Sequence, residues 1–310
     1  MTESKIAYVF PGQGSQKVGM GRDLFDKYEA AKKVFQDADS VLKISLSKLI
    51  FEGPEEELRQ TINAQPALVT MSLACYQAAL SAVDKSKIPG PAFLAGHSLG
   101  EYTALAIGGA LDFSTAIFLA RERGRLMYEA GQKVPGSMAA ILGMEEAALA
   151  ELCRETGTNL ANINCPGQLV ISGTKENIDK AVGLAKSKGA SRAMPLQVSG
   201  AFHSPLMQPA VDGLAAVIDR LSFQDPRIPI IANTTAKPLT KAKDIKEELL
   251  QQLCHSVQWQ RSVEYMVTQG INTFIEIGAG AVLTGMIKRI NKEVKTLNVG
   301  TSADLNNISG

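Results

Sequence analysis

The sequence predicts an α/β protein in which a larger domain with a parallel sheet carries a smaller inserted domain. Strand-like and helix-like segments alternate in the first and last parts of the chain, as they do around parallel sheets. Between residues 133 and 199 the order changes to β-α-β-β-α-β, which is the ferredoxin-like pattern. A Gly-x-Ser-x-Gly motif at residues 96–100 lies between a strand-like run and a helix-like run. In that context the motif forms a sharp turn around a nucleophilic serine.

The elements of the larger domain are predicted from the spacing of apolar residues. In residues 1–132 they are a strand at 5–10, helices at 21–40 and 66–83, a strand at 92–95, and helices at 101–106 and 112–131. In residues 200–310 they are a helix at 205–221, a strand at 229–232, helices at 244–254 and 260–269, a strand at 273–277, a helix at 282–290 and a strand at 294–299. Asp112 is the expected N-cap of the helix that follows it, and the tail at 301–310 is expected to be loose.

The inserted domain is predicted to span residues 133–199, with residues 1–132 and 200–310 forming the larger core. Its elements are a strand at 137–142, a helix at 145–155, strands at 159–164 and 169–173, a helix at 175–188 and a strand at 191–198. A cleft between the two domains is the expected ligand site.

The composition excludes several classes of function. A chain of 310 residues with 45% hydrophobic residues can bury a large core, and a net charge of +1 gives no general attraction to nucleic acid or to an anionic membrane. The 4 cysteines and 3 histidines form no C-x-x-C pair and no metal-ligand spacing, so we expect reduced cysteines and no metal. The polar residues 1–5 and the lack of a long apolar run predict no signal peptide, no membrane contact and a cytoplasmic location.

The Gly-x-Ser-x-Gly motif makes Ser98 the candidate nucleophile. The two glycines let the backbone turn sharply, and the N–H of Leu99 then lies at a helix N-terminus, where partial positive charge favours an oxyanion. Such a five-residue pattern also arises by chance, but the strand before it and the helix after it favour the catalytic interpretation.

A serine hydroxyl needs a base to become a good nucleophile, and the chain offers three histidines. His97 adjoins Ser98 on a sharp turn, where neighbouring side chains point apart, so we expect it to orient the loop or to line the pocket. His255 lies at a helix end, where a structural role is expected. His203 lies in a loop at the domain junction, a common place for catalytic groups, and is the preferred base.

The third member of a hydrolase triad is missing from the expected place in the sequence. Such enzymes usually carry an acid between the serine and the histidine, and no acidic residue between Ser98 and His203 stands out. We therefore expect a neutral group, such as a backbone carbonyl, to orient His203. This arrangement argues mildly against a plain esterase.

Three arginines in one helix are candidates for binding a carboxylate, which arginine holds through two parallel charge-assisted hydrogen bonds. Arg121 and Arg125 share one helix face, whereas Arg123 faces elsewhere. Gly124 costs about 1 kcal/mol relative to alanine in a helix interior and indicates close packing there. The pattern leaves open a solvated basic patch, or an inward Arg123 that selects substrates with a free carboxylate.

The glycine-rich loop at residues 11–15 follows the first strand. It lacks the last glycine of G-x-G-x-x-G and the lysine of a P-loop, so nucleotide binding is not expected. A loop in this position can instead supply a second oxyanion N–H, from Gln13.

Several motifs together resemble the malonyl-CoA:acyl-carrier-protein transacylase family, which includes the acyltransferase domains of fatty acid and polyketide synthases. They are, in chain order, residues 10–16, residues 96–102, Arg123-Gly124 with Met127, residues 200–204 and residues 257–259. The resemblance covers essentially the whole chain. It implies an α/β-hydrolase-like core with an inserted ferredoxin-like subdomain.

The resemblance also implies roles for the matching residues. Ser98 is the acylated nucleophile and His203 its base, the N–H groups of Gln13 and Leu99 form the oxyanion hole, and Arg123 pairs with the malonyl carboxylate.

Four further residues receive positions around that centre, and those of Gln258, Asn164 and Phe202 are implied by the resemblance. Gln258 orients His203 through its backbone carbonyl, and Asn164 lies near the bound thioester, although a plain turn residue before Pro-Gly is an equal alternative. Phe202 favours malonyl over methylmalonyl groups, because a bulky ring excludes the extra methyl. His97 is expected to line the substrate pocket.

The implied reaction moves a malonyl group from malonyl-CoA to the phosphopantetheine thiol of a holo acyl-carrier protein. A malonyl-serine intermediate divides it into two half-reactions and predicts ping-pong kinetics without a metal or an organic cofactor. A freestanding chain of this kind favours fatty acid synthesis over polyketide synthesis, and we expect a monomer.

Three other functions remain open from the sequence alone. A serine thioesterase or esterase would use the same two residues with water as the acceptor. A scaffold would bind the carrier protein without using Ser98. A transacylase for another acyl group would not depend on Arg123.

Overall fold

The computed structural model describes residues 5–309, so the predictions for residues 1–4 and for Gly310 lie outside the described residues. Within this range the larger sheet has six strands: β1 (Ile6–Phe10), β2 (Phe93–Gly96), β7 (Ile230–Ile231), β8 (Pro238–Leu239), β9 (Thr273–Ile277) and β10 (Lys295–Val299). Their order is β10-β9-β1-β2-β7-β8, and every neighbouring pair is parallel except β7 with β8. The predicted parallel sheet is confirmed, and the short strand β8 was not predicted.

The inserted segment forms a second, antiparallel sheet with the predicted β-α-β-β-α-β order. Its elements are β3 (Gly136–Leu142), α8 (Glu146–Thr156), β4 (Asn159–Cys165), β5 (Gln168–Thr174), α9 (Lys175–Ala185) and β6 (Arg192–Pro195). The strand order β4-β5-β3-β6 is that of a ferredoxin-like fold. These elements lie inside the predicted range 133–199, whose boundaries stay a prediction.

Helices cover the larger sheet and connect its strands. They are α1 (Arg22–Lys27), α2 (Glu29–Leu42), α3 (Leu46–Glu52), α4 (Glu55–Arg59), α5 (Thr61–Ala82), α6 (Gly100–Ile107), α7 (Phe113–Lys133), α10 (Gln208–Ile218), α11 (Ala242–Gln251), α12 (Trp259–Thr268) and α13 (Val282–Ile290). Asp112 caps α7 as predicted, because its side chain accepts a hydrogen bond from the N–H of Thr115 at 2.8 Å. None of the helices in residues 5–309 is long and apolar enough to cross a membrane.

Both faces of the larger sheet are buried, and strand β1 shows this in its alternating side chains. Tyr8 and Phe10 pack into the cluster that contains α5, α6 and α7, whereas Ala7 and Val9 pack into the cluster that contains α12 and α13. Helix α5 is apolar on nearly all sides and lies buried within the first of these layers.

Two predictions, one about a helix and one about the C-terminal tail, were wrong. The helix predicted at 21–40 is divided at Tyr28, whose backbone is extended, so that α1 and α2 are separate helices. The tail predicted to be loose contains a 3₁₀-helix at Leu305–Ser309, because Leu305 and Ile308 share one face at this spacing and are both buried.

The two sheets meet along strand β4. The N–H of Val257, just before α12, donates to the carbonyl of Ala161, and the N–H of Ile163 donates to the carbonyl of Val257, at 2.8 and 2.9 Å. The segment before α12 therefore joins the edge of the smaller sheet to the core, beside the carboxyl ends of the parallel strands.

Candidate active site

The serine motif forms the predicted sharp turn between β2 and α6. Ser98 has a left-handed backbone with φ 50°, a strained conformation that is common at functional positions. A Cβ atom at Gly96 would lie 1.9 Å from the carbonyl carbon of Gly100, and one at Gly100 would lie 2.1 Å from the carbonyl oxygen of Phe10. Glycine is therefore required on both sides of Ser98, because the chain passes too close for any side chain.

His203 is placed next to Ser98, as predicted. Its Nε2 lies 2.9 Å from the Ser98 Oγ, and its Nδ1 lies 2.7 Å from the carbonyl oxygen of Gln252. A carbonyl only accepts hydrogen bonds, so Nδ1 carries the hydrogen and Nε2 is free to accept the serine proton. The expected neutral acceptor is therefore present, and the imidazole is oriented as a base.

The identity of that acceptor was wrongly predicted. The carbonyl of Gln258 does not orient His203, because it accepts the N–H and the hydroxyl of Ser262 in the first turn of α12. The accepting carbonyl belongs to Gln252, six residues earlier, just after α11. The N–H of Gln258 instead donates to the carbonyl of Asn233 at 2.8 Å, which links two segments of the core.

The surroundings of His203 keep its ring neutral. Burial, followed by the positive charge of Arg123, lowers the pKa of His203 to about 3 from its ordinary 6.5. At neutral pH the ring is therefore unprotonated and can take a proton from Ser98.

Arg123 points inward and is only 1% exposed, whereas Arg121 and Arg125 lie on the other face. Its guanidinium donates to the Ser98 Oγ at 3.0 Å and also to the side-chain oxygens of Gln65 and Gln252 at 2.7 and 2.8 Å. Among residues 5–309 no carboxylate forms an ion pair with it. A buried cation without an anionic partner can receive the carboxylate of a ligand.

Gly124 allows this inward placement, and the close packing predicted at this position is confirmed. A Cβ atom there would lie 2.6 Å from the carbonyl oxygen of Thr61. The missing side chain therefore lets α7 approach α5 closely enough for Arg123 to reach Gln65.

The glycine-rich loop after β1 lies directly against the serine turn. Phe10 pairs in register with Gly96, and a Cβ atom at Gly12 would lie 2.4 Å from the carbonyl oxygen of His97. In the described part of the chain, neither the N–H of Gln13 nor the N–H of Leu99 donates to an acceptor. Two free backbone donors next to the nucleophile are what an oxyanion hole requires.

His97 and Asn164 form a pair at the edge of the site. The Nε2 of His97 lies 2.8 Å from the Oδ1 of Asn164, and the ring of Trp259 lies 5.8 Å from the imidazole. His97 lines the cleft as expected, and Asn162 on the same strand as Asn164 also lines it, although it was not predicted. The position of Asn164 near a bound thioester stays a prediction. Burial lowers the pKa of His97 from its ordinary value, so this ring is also neutral.

The cleft between the core and the smaller sheet has a volume of about 400 Å³ and contains Ser98, Arg123 and His203 on one wall. Phe202 adjoins His203 there and is 5% exposed. The opposite wall comes from the smaller sheet and the segment after it, with the apolar Met138, Leu196 and Val198 and the polar Asn162 and Gln197. The expected location of the ligand site is therefore supported by the geometry.

Three residues of the site were missed in the sequence. The side chain of Asn233 accepts the N–H of Ser98 at 2.7 Å and donates to the carbonyl of Gly96 at 2.8 Å. The side chain of Gln252 contacts Ser98, Arg123 and Glu101. Asn233 follows the carboxyl end of a parallel strand, a position that could have signalled it. Glu101 falls within the motif at residues 96–102, whereas Gln252 carries no comparable signal.

Metal binding has no visible basis in the described residues. Within residues 5–309 no group of three or more His, Cys, Asp or Glu side chains is arranged to hold a metal ion. The absence of a metal and of an organic cofactor from the reaction stays a prediction.

Comparisons with known proteins identify the family. Residues 7–305 match the family model described as an acyl transferase domain. The chain is 48% identical over 303 residues to the malonyl CoA-acyl carrier protein transacylase of Bacillus subtilis, covering 96% of this chain and 93% of that protein.

Solved structures give the same result. An acyl carrier protein S-malonyltransferase from Vibrio cholerae is 43% identical with a TM-score of 0.93, over 98% of this chain and 100% of that one. A malonyl-transacylase solved in complex with a type II PKS acyl-carrier protein is 40% identical with a TM-score of 0.93, over 98% and 99% of the two chains. The chain therefore belongs to the acyl transferase family, among the malonyl-CoA–acyl carrier protein transacylases.

Proposed function

We propose that this acyltransferase moves a malonyl group from malonyl-CoA to the phosphopantetheine thiol of a holo acyl-carrier protein, through a malonyl ester of Ser98. The observation that carries the proposal is the convergence of two groups on the Ser98 Oγ. A neutral imidazole nitrogen lies 2.9 Å from it and a buried guanidinium nitrogen 3.0 Å from it. The first can activate the hydroxyl, and the second can hold an acyl group that carries a carboxylate.

In the first half-reaction Nε2 of His203 takes the Ser98 proton as Oγ attacks the thioester carbonyl. The N–H groups of Gln13 and Leu99 stabilise the oxyanion of the tetrahedral intermediate. The carbon–sulfur bond then breaks, and the imidazolium returns its proton to the departing sulfur. Coenzyme A leaves as a thiol, and Ser98 retains the malonyl group.

In the second half-reaction the phosphopantetheine thiol gives its proton to His203 and attacks the malonyl ester. The bond between the carbonyl carbon and the Ser98 Oγ breaks, and the proton returns to that oxygen. The carbonyl of Gln252 holds the ring in the same tautomer throughout. No net proton is consumed, and the order of events is ping-pong.

Selectivity would come from both sides of the acyl group. Arg123 pairs with the malonyl carboxylate, which supplies the negative charge that this buried guanidinium lacks among the described residues. Phe202 lies beside the base and limits the space at the α-carbon of the acyl group.

The assignment of partner and setting rests on relatives and on chemistry. A similar transacylase has been solved with an acyl-carrier protein, which supports a carrier protein as the acceptor here. Fatty acid synthesis is the proposed pathway. The cytoplasm is the proposed location, because the 4 cysteines of the chain are free. A monomer stays a prediction.

Intact-protein mass spectrometry after brief mixing with malonyl-CoA tests the proposal. We expect a malonyl adduct on the wild-type chain, none on Ser98→Ala, and loss of the adduct on addition of holo acyl-carrier protein. Acetyl-CoA serves as the matched uncharged donor and should give far less adduct. Release of free malonate faster than transfer would identify a thioesterase instead, and an undiminished biological role of Ser98→Ala would identify a scaffold.

A further inference from the structure

A buried carboxyl group lies directly beneath the serine turn and has no part in the reaction described above. Glu101 is the second residue of α6 and is 0% exposed. One of its oxygens, Oε2, accepts the backbone N–H of Asn233 at 3.1 Å, the side-chain amide of the same residue, and the side-chain amide of Gln252 at 3.1 Å. Three donors from two distant segments therefore share a single acceptor.

The first of those segments holds the nucleophile. Asn233 accepts the N–H of Ser98 through its side-chain oxygen and donates to the carbonyl of Gly96, so one amide spans the serine turn. Its other contact is with Glu101. The orientation of this amide, and with it the backbone of Ser98, depends on that acceptor.

The second segment holds the base and the arginine. The backbone carbonyl of Gln252 accepts a hydrogen bond from Nδ1 of His203, and its side-chain Oε1 accepts one from the Arg123 guanidinium. Its side-chain Nε2 donates to the Ser98 carbonyl and to Glu101. The amide of Gln252 therefore has one end on Arg123 and the other on Glu101. The Ser98 carbonyl and Glu101 are both acceptors on this side, and together they keep the amide from rotating and orient its oxygen toward the arginine.

We propose that Glu101 is a positioning residue for acyl transfer: its Oε2 is the common acceptor that fixes Asn233 and Gln252, and through them Ser98, His203 and Arg123. The inference rests on the proposed transfer reaction and adds a residue that does not touch the substrate. It gives the site an acidic group, but one that acts through two amides rather than directly on the imidazole.

The structure favours a role for the accepting oxygen over a role for a negative charge. The second oxygen, Oε1, has no hydrogen-bond partner among the described residues, although it is buried. Burial and the neighbouring Glu248 of α11 raise the pKa of Glu101. The side chain of Gln252 lies between Glu101 and the Arg123 guanidinium of α7 and forms a hydrogen bond with each. Tyr102, with a pKa also raised by burial, adjoins it on the same helix. A glutamine has the same acceptor and the same shape.

Two substitutions of similar volume separate these roles. Glu101→Gln keeps an acceptor at the position of Oε2, whereas Glu101→Met fills the space without one. Misplacing reacting groups by about 1 Å costs roughly 100-fold in rate. We expect Glu101→Met to lower the rates of both half-reactions by about that factor with the malonyl donor, and to slow acylation by the acetyl donor as well because Ser98 and His203 are also misplaced. We expect Glu101→Gln to stay within about threefold of wild type with an unchanged pH profile.

The matched control is Glu276, a second buried carboxyl group. It accepts the N–H groups of Leu283 and Thr284 at the start of α13, away from Ser98. Glu276→Gln and Glu276→Met should lower thermal stability and leave kcat unchanged. A general effect of removing buried carboxyl groups would appear equally in both pairs of variants.

Three results decide the inference. A folded Glu101→Met variant with wild-type kcat would overturn it, and so would a folded Glu101→Gln variant that is as slow as Glu101→Met. If Glu101→Met does not fold, Glu101→Gln decides alone, since near-wild-type kcat supports the acceptor role and a large loss contradicts it. Failure of the proposed function is distinct, because then the wild-type chain itself would form no malonyl adduct.

Discussion

The two walls of the cleft differ in the reactivity and charge of the side chains that they present. The core wall presents Ser98, His203 and Arg123, which are fixed by hydrogen bonds from several loops and helices. The facing wall presents Met138 from the smaller sheet and Val198 from the segment after it, together with the uncharged amides of Asn162 and Gln197. The reacting groups all lie on the core wall, so substitutions on the two walls should change different kinetic quantities.

The largest effect is expected on the core wall, at Arg123, which we propose pairs with the malonyl carboxylate. Removing one partner of a buried, hydrogen-bonded charge pair costs about 2–5 kcal/mol. Arg123→Ala should therefore lower kcat/KM for malonyl-CoA by about 30-fold to several thousand-fold, measured by steady-state transfer to the carrier protein. Acylation by acetyl-CoA should be much less affected.

Arg121→Ala is the matched control for this substitution. Arg121 lies on the same helix but donates to the carbonyl of Ile62 and to Asn63, away from the cleft. It should keep the preference for malonyl-CoA. Equal losses for the charged and uncharged donors in Arg123→Ala would contradict a carboxylate-binding role.

The protonation of His203 gives the next effect. Its lowered pKa of about 3 means that the base remains unprotonated well below 6.5. We expect the rate of Ser98 acylation to change by less than about twofold between pH 7 and pH 5, measured by rapid quench and mass spectrometry. An acidic decline centred near 6.5 would show that the ring titrates as an ordinary histidine.

The same shift links His203 to stability. Between pH 6.5 and about 3 the unfolded chain binds a proton that the native chain does not. This group's contribution to the free energy of unfolding therefore falls as the pH is lowered through that window, by at most about 1.4 kcal/mol per pH unit. Urea denaturation of wild type and His203→Gln should show a smaller pH dependence in the variant.

A smaller effect is expected on the facing wall. Met138→Ala would enlarge the cleft without touching the reacting groups, and one or two methylenes in a pocket change selectivity by about 10-fold. The ratio of kcat/KM for methylmalonyl-CoA to that for malonyl-CoA should rise by up to that factor. Met144→Ala, in the core of the same sheet, is buried but does not line the cleft and should leave the ratio unchanged.

The smallest effect is expected where the two domains meet at the surface. Arg261 of α12 and Glu146 of α8 form an exposed ion pair of 2.8 Å. Such pairs contribute about 0–1 kcal/mol, so Arg261→Ala should change the free energy of unfolding in urea by less than that and leave kcat/KM almost unchanged. A large loss of activity would mean that this ion pair holds the two walls of the cleft at the distance that the reaction needs.

The sequence was sufficient where the chemistry leaves a local pattern. Ser98 stands in a motif whose glycines are required by sterics, and Arg123 is distinguished from its neighbours by helical spacing. The acceptor for His203 could not be located in this way, because every residue has a backbone carbonyl and Gln252 differs from Gln258 only in where the fold places it.

Long-range contacts explain the other omissions. Asn233 meets Ser98 across 135 positions of sequence, and Glu101 meets Gln252 across 151, so no spacing rule connects them. The break at Tyr28 carries no proline or glycine, and the burial of Leu305 depends on a surface that other elements create.

Trp259, the only tryptophan in the sequence, is a natural optical probe of this site. Its ring is 1% exposed and lies 5.8 Å from that of His97, the residue next to the nucleophile, at the line where the two sheets meet. Its fluorescence would therefore respond to events at one place in the molecule. Loading and discharge of Ser98 could be followed by stopped-flow emission in the unlabelled protein, without a coupled assay.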